Sequence, residues 1–298
     1  MQVVLAGASG FIGSALAESL RASGHETRTL RRGPTQSADE ARWDPARGVV
    51  DPELLAGADA VVCLSGAGTG DHRWTAAYKQ QILASRVDSV RTLARAMAGL
   101  AASGGPNVFV AASAVGYYGD TGDATITEES PPGSTFLAEV CRQWEAAADP
   151  ARAAGVRVAH LRTGLVLGGS GGLLKRLKPI VQTGLAGRLG SGRQYMPWIS
   201  LADEVAAVEH LLTTDVSGPV NATAPHPVRN AEFMTTLGSV LRRPALVPTP
   251  AAAIRLAIGE FAEDILTGQR ALPAVLTRTG FSFRHPDLEP ALRWALGR

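Results

Sequence analysis

The chain begins MQVVLAGASGFIGSAL, residues 1–16. The apolar run at residues 3–6 leads straight into a turn with three glycines spaced Gly7-x-x-Gly10-x-x-Gly13. A helical pattern follows at once, with apolar residues at Phe11, Ile12, Ala15, Leu16 and Leu20. At this spacing each glycine has its own use. The first permits the tight turn, the second lets the backbone approach a pyrophosphate, and the third lets the helix pack closely on the strand. The helix start then offers free N–H groups and the positive end of its dipole to phosphates. So short a motif gains meaning from its context, a strand before it and a helix after it. Gly7, Ser9, Gly10, Phe11, Ile12 and Gly13 are therefore candidate contacts for a dinucleotide.

Further along, residues 26–30 read as a second strand that ends at Arg31-Arg32. A short strand is expected near Arg42 and Trp43. The stretch AVVCL at 60–64 reads as a buried strand running into Ser65-Gly66-Ala67-Gly68, so Leu64, Ser65, Gly66 and Ala67 join the candidate cofactor contacts. A long helix is expected over 76–102, a strand over 107–112, a helix over 135–153 and a strand over 156–161. Short apolar strands without period-2 polarity, alternating with helices, predict a parallel sheet covered on both faces. The fold class is thus α/β, a Rossmann-type doubly wound sheet with its ligand at the strand carboxyl ends.

After Leu167 the character changes. GGSGG at 168–172 reads as a flexible or backbone-contacting loop, and 173–181 as a helix. Ser200 and Asp203 have capping-box spacing, with Asp in place of Glu or Gln, before another apolar-periodic helix. Residues 219–223 read as one more strand returning to the sheet. Pro-rich turns and short helices follow from Pro244. The expected organisation is a cofactor-binding domain over 1–168 and a smaller C-terminal substrate lobe over 169–298.

At 298 residues and 45% hydrophobic, the chain can bury a sizeable core. A net charge of +2, with no basic run beyond a pair, gives no case for nucleic acid. No apolar stretch reaches the roughly 20 residues of a membrane span, and no secretory pattern opens the chain. Cys63 and Cys141 lack any metal-ligand spacing, which predicts no metal site and two reduced thiols. A cytoplasmic protein acting on a small molecule is expected, as a monomer or a homodimer.

Cofactor choice turns on Arg31 and Arg32. A site that prefers NAD places an acid at the end of the second strand to accept from the ribose 2′-OH. A guanidinium there instead grips a 2′-phosphate with paired hydrogen bonds. The cofactor expected is NADP(H), with two solvated surface arginines as the alternative.

These features together resemble the short-chain dehydrogenase/reductase superfamily in its extended, epimerase/dehydratase form. The matching stretches are GASGFIG at 7–13, DAVVCLSGAG at 59–68 and VAASAVGYYG at 110–119. An atypical, epimerase-like branch is resembled more closely still, through RWTAAYKQQILASRV at 73–87, FLAEVCRQWE at 136–145, RTGLVLG at 162–168, MPWISLADEV at 196–205, VNATAPHPVRNAEF at 220–233 and LTGQRALPAVLTRTGFSF at 266–283. The resemblance implies a working set of Asn, Ser, Tyr and Lys. Here Ser113 matches the Ser, while Leu137 and Cys141 stand at the Tyr and Lys positions and Arg86 at the Asn position. Tyr117, in the turn after Ser113, is a candidate proton donor or a wall of the substrate site. Arg86 is a candidate for the cofactor phosphates or an anionic substrate group, with an ion pair to Asp59, Asp88 or another local acid as the alternative. The function implied is an atypical NADP(H)-dependent oxidoreductase or epimerase acting on a small, anionic or sugar-like ligand. The alternative is a non-catalytic NADPH-binding scaffold or sensor.

Overall fold

The computed structural model describes all 298 residues. Its elements run β1 (Gln2–Ala6), α1 (Phe11–Ala22), β2 (Glu26–Arg31), β3 (Glu40–Arg42), β4 (Ala60–Cys63), α2 (Ala76–Leu100), β5 (Val108–Ala114), β6 (Thr125–Ile126), α3 (Phe136–Ala146), α4 (Asp149–Ala153), β7 (Arg157–Thr163), β8 (Leu165–Gly168), α5 (Gly172–Gln182), β9 (Tyr195–Met196), β10 (Trp198–Ser200), α6 (Leu201–Thr213), β11 (Gly218–Ala222), β12 (Val228–Arg229), α7 (Asn230–Leu241), α8 (Ala251–Ile258), α9 (Ala262–Leu266), β13 (Arg270–Ala271), α10 (Ala274–Arg278) and α11 (Leu288–Leu296).

Seven of these strands form one sheet in the order β11-β7-β5-β4-β1-β2-β3. Every pairing in it is parallel. Alternation along each strand decides which helices cover which face. Val4 and Ala6 of β1 share a cluster with Leu93 and Met97 of α2 and Trp144 of α3. Val3 and Leu5 pack instead with Leu16 and Leu20 of α1 and Val208 and Leu211 of α6. Both faces are buried, so the central strands β1, β4 and β5 carry no polar alternation. A third cluster, with Leu174, Trp198, Phe233, Leu237 and Leu292, lies within the C-terminal lobe.

The strand expected at 219–223 is β11, which joins the sheet edge beside β7 with Val220 opposite Leu161. The capping expected at Ser200 is also present. Its hydroxyl accepts from the Asp203 N–H at 3.0 Å. The Asp203 carboxylate in turn accepts from the backbone N–H groups of Arg284 at 2.7 Å and His285 at 3.0 Å, which ties the chain's last segment to α6.

One expectation is corrected and another gains detail. The single helix over 135–153 is broken into α3 and α4, with Pro150 near the start of α4. Proline has no N–H to donate to the carbonyl four residues back, and its ring crowds that carbonyl, which belongs to Ala146, where α3 ends. The GGSGG stretch, expected as a flexible or backbone-contacting loop, lies against backbone at Gly169, where a Cβ would sit 2.3 Å from the Ala295 carbonyl oxygen, and is also a cradle for Phe11. A Cβ on Gly168, Gly171 or Gly172 would sit 2.6, 2.3 or 3.1 Å from the Phe11 ring.

Candidate functional site

The glycine turn is built as its spacing predicts. Gly7 has φ +91°, a left-handed conformation that favours glycine. A Cβ on Gly13 would lie 2.1 Å from the Gly7 carbonyl oxygen. Gly10 donates its N–H to that same oxygen at 3.0 Å. Gly10 is also the N-cap of α1, and no side chain caps the helix start. The first N–H groups of α1 therefore remain free for a ligand. Phe11 and Ile12 offer backbone there while their side chains pack against the core. Ser9 is exposed beside them.

At the end of β2 the two arginines part ways. Arg31 makes an ion pair with Glu40 of the neighbouring β3 at 2.8 Å. Glu40 also accepts the Gln36 N–H at 2.5 Å. Arg32 is exposed and makes no hydrogen bond or ion pair.

Leu64, Ser65, Gly66 and Ala67 follow β4 directly beside the turn, and a Cβ on Gly7 would lie 2.8 Å from the Leu64 carbonyl carbon. Ser85 of α2 accepts the Ala67 N–H at 3.0 Å. The next residue, Arg86, reaches under this loop. A Cβ on Gly66 would lie 3.3 Å from its guanidinium carbon. That carbon is 5.1 Å from the centre of the Trp144 ring. Arg86 has no carboxylate partner; its one hydrogen bond goes to the Ile82 carbonyl at 3.0 Å. Burial lowers its pKa, with the Cys141 thiol and Tyr78 opposing that shift. The local acids are occupied elsewhere: Asp59 accepts the Gln2 N–H at 2.7 Å, and Asp88 lies 3.8 Å from Arg91.

Ser113, at the end of β5, sits in a buried polar network. Its hydroxyl donates to Glu145 of α3 at 2.7 Å. Arg162 of β7 grips the same carboxylate through two bonds, 2.8 and 2.9 Å. Burial pushes the Glu145 carboxyl up, but the hydrogen bond and charge of Arg162 outweigh it and hold the group below the ordinary carboxylate range. Arg162 also donates to the Tyr118 hydroxyl at 2.9 Å, and Tyr118 donates to Asn221 of β11 at 2.7 Å. Glu128 accepts the N–H groups of Asn221 and Val275 at 3.0 and 3.1 Å. Tyr117 lies flat on this assembly, its ring centre 3.5 Å from the Arg162 guanidinium carbon.

Leu137 and Cys141 line α3 where it meets the turn after β5. A Cβ on Gly116 would lie 3.3 Å from the Leu137 Cβ. The Cys141 Sγ is 3.6 Å from the Ala114 carbonyl oxygen. Burial, aided by the Glu145 charge, pushes the Cys141 thiol up to about 12, so it stays a neutral thiol. Trp198 is buried in the core, whereas Trp74 meets Phe136 edge-on and Phe261 at a tilt, with ring centres 5.1 and 5.2 Å apart.

Glu145, Arg162, Tyr118, Glu128 and Asn221 were not among the candidates from sequence. A signal for two of them existed. Arg162 lies within the buried strand RVAHLRT, and Glu145 lies one helical turn beyond Cys141. A charge at a buried position needs a partner. Glu204, at the first turn of α6, was missed as well. It is fully buried, accepts from the Thr163 hydroxyl at 2.7 Å, and is pushed up by burial to about 8.

With this geometry in view, likeness to known proteins is informative. Residues 3–223 match the NAD dependent epimerase/dehydratase family, and 249–295 match a domain of unknown function, DUF1731. The Mycobacterium bovis epimerase family protein Mb2239 is 46% identical over 299 residues, covering 99% of this chain and 98% of its own. A crystal structure of human epimerase family protein SDR39U1 (isoform 2) with NADPH is 33% identical, with a TM-score of 0.90, and the match covers 100% of this chain and 99% of that one. A nucleoside-diphosphate sugar epimerase from Corynebacterium glutamicum is 36% identical with a TM-score of 0.82, covering 100% of this chain and 58% of that longer one. The glycine turn, the sheet order and this full-length likeness make the chain a member of the NAD dependent epimerase/dehydratase family, in its SDR39U1-like, DUF1731-bearing form.

Proposed function

We propose that this chain binds NADP(H) and acts as an oxidoreductase or epimerase on a small anionic or sugar-like ligand, without a Tyr–Lys pair. The observation that carries this reading is the pairing of an uncapped α1 N-terminus with Arg86, a half-buried cation that has no carboxylate partner. Burying a guanidinium is costly unless it meets an anion or strong acceptors. Both features ask for an anionic ligand along the carboxyl ends of β1, β4 and β5. The relative crystallised with NADPH supports that cofactor, and the relative named for nucleoside-diphosphate sugars supports a sugar-like ligand.

NADP(H), when bound, supplies hydride transfer. Gly7, Ser9, Gly10, Phe11, Ile12 and Gly13 would hold its pyrophosphate through backbone N–H groups. Arg32 would hold the 2′-phosphate end, with Arg31 beside it held by Glu40, while Leu64, Ser65, Gly66, Ala67, Arg86 and Ser113 would line the rest of its path. In the region where the family's Tyr and Lys are expected, Leu137 has no proton to give and Cys141, pushed up to about 12 by burial, gives its proton up poorly. Tyr117 and Arg86 are then the remaining donors for a reacting oxygen. We take residues 1–168 with the returning β11 as the cofactor-holding part and the rest of 169–298 as the substrate-holding part.

A second reading, a non-catalytic NADPH scaffold, is favoured by one observation: Ser113 is 3% exposed and its hydroxyl is already committed to Glu145. One experiment separates the two. NADPH-loaded protein is mixed with a carbonyl library and the loss of nicotinamide absorbance is followed in a single turnover. The enzyme reading expects at least one compound to oxidise the bound cofactor. Tight NADPH binding with no oxidation across the library, and no interconversion of sugar-nucleotide epimers by the NADP-loaded protein, leaves the scaffold. Arg86→Ala should weaken NADPH by about 1.5–3 kcal/mol, the range for hydrogen bonds to charged groups. Should it bind NADPH normally in calorimetry and only melt earlier, the role given to Arg86 is wrong.

A further inference from the structure

We infer that Arg42, on β3, is a direct ligand of the cofactor's 2′-phosphate and works with Arg32, while Arg31 serves to neutralise Glu40; this rests on the NADP(H) reading above. In the parallel pairing of β2 with β3, Arg31 and Arg42 are register partners. Neighbouring strands lie about 4.8 Å apart, and paired residues point to the same face. The preceding pair, Leu30 and Ala41, is buried in the cluster on the α2 side. Arg31 and Arg42 therefore project from the opposite face, the one covered by α1, at the carboxyl ends of their strands. Like charges on directly paired positions are unfavourable unless something neutralises them.

Glu40 lies on this face too, two residues before Arg42, and does part of that work. Its carboxylate takes the Arg31 guanidinium at 2.8 Å and the Gln36 N–H at 2.5 Å. The charges of Arg31 and Glu40 cancel. Arg32 and Arg42 are both exposed, and neither makes a hydrogen bond or ion pair within the chain. Two free guanidinium groups remain at the carboxyl ends of β2 and β3, one and two strands from the β1 that leads into the phosphate-binding turn. A phosphomonoester carries about −1.5 to −2 near neutral pH, which matches those two charges. The guanidinium fork suits its oxygens. The ligand chemistry is a phosphate on a ribose hydroxyl, held at the edge of the sheet.

The probes are adenosine 2′,5′-bisphosphate and AMP, which differ only in the 2′-phosphate, titrated by calorimetry into the full-length protein. Wild type should bind the bisphosphate at least about tenfold tighter, since a charged hydrogen bond contributes that much or more. Arg42→Ala should bring the two affinities close together and leave AMP unchanged, and Arg42→Lys should restore part of the difference. The double variant Arg31→Ala with Glu40→Gln removes the neutral pair together and should keep most of the wild-type preference. An Arg42→Ala protein that still prefers the bisphosphate as wild type does overturns the assignment. So does a double variant that loses the preference while Arg42 is intact. A wild type that binds both probes equally overturns the NADP(H) reading and the role of Arg42 with it.

Discussion

The two ends of the candidate site are made in opposite ways. At the phosphate end the chain removes side chains: Gly7, Gly10 and Gly13 let backbone meet backbone, and a Cβ on Gly13 would fall 2.1 Å from a carbonyl oxygen. At the other end it crowds side chains together. Ser113, Tyr118, Glu128, Glu145, Arg162 and Asn221 come from separate elements and connecting segments and form one buried hydrogen-bonded assembly. The first end is specified within seven residues; the second exists only once the chain has folded. A local device tolerates almost no change of residue, whereas a distributed one tolerates changes made in pairs.

The sharpest break of that contrast is at the turn. Gly13→Ala should abolish detectable NADPH binding in calorimetry, because the new methyl cannot coexist with the Gly7 carbonyl. Retained wild-type affinity would show that the turn has slack it is not credited with here.

At the crowded end, Arg162→Ala strands Glu145 as a buried charge, and such losses cost about 3–5 kcal/mol. Urea unfolding should show this, and replacing both partners by apolar residues of similar volume should cost much less. Equal costs for the single and the double change would mean that the pair is not the unit that matters.

Smaller effects come from pH, where two buried glutamates pull in opposite directions. Glu145 lies below the ordinary value of 4.5, so its stabilising contribution is full at neutral pH and is lost as pH falls through its folded value. Glu204 is raised from 4.5 to about 8. Across that window the folded protein keeps a proton that the unfolded chain gives up, so Glu204 lowers stability as pH rises through the window and adds no slope above it. Glu204→Gln retains an oxygen for the Thr163 hydroxyl and should raise Tm more at pH 8 than at pH 5. Identical shifts at both values would contradict this.

The smallest expected effect is at Cys141. A thiol pushed up to about 12 is a poor proton donor and supplies no thiolate base, so Cys141→Ala should leave NADPH affinity and any turnover within a few-fold of wild type. A general acid or base contributes about 10²–10⁴-fold, and a collapse of that size in steady-state rate would make the thiol catalytic.

What could be read from the sequence follows the same division. The β1–α1 turn, the strand at 60–64 and the return of β11 to the sheet all rest on local pattern, and each has its counterpart in the fold. Arg86 could be singled out because it sits on a helix face shared with the buried Ile82 and Leu93. Its freedom from Asp59 and Asp88 could not, since it depends on which groups those acids meet. Arg31 looked equivalent to Arg32 until β3 brought Glu40 alongside. The Glu145–Arg162 pair spans two elements whose relative placement is set by packing, and neither residue carries a local signal of its partner. The break between α3 and α4 was legible in Pro150 but was outweighed by the alanine-rich pattern around it.

Phe11 in its cradle of Gly168, Gly171 and Gly172 sets a limit on how this protein can be cut or recombined. The three glycines leave space for one phenyl ring, so ring and loop form a single packing unit although about 160 residues of chain lie between them. A fragment ending at residue 168 would divide that unit and leave the ring without most of its seat. A chimera that borrows the amino-terminal turn must therefore borrow residues 168–172 from the same parent. Only a smaller residue at position 11 would let bulkier residues enter the loop.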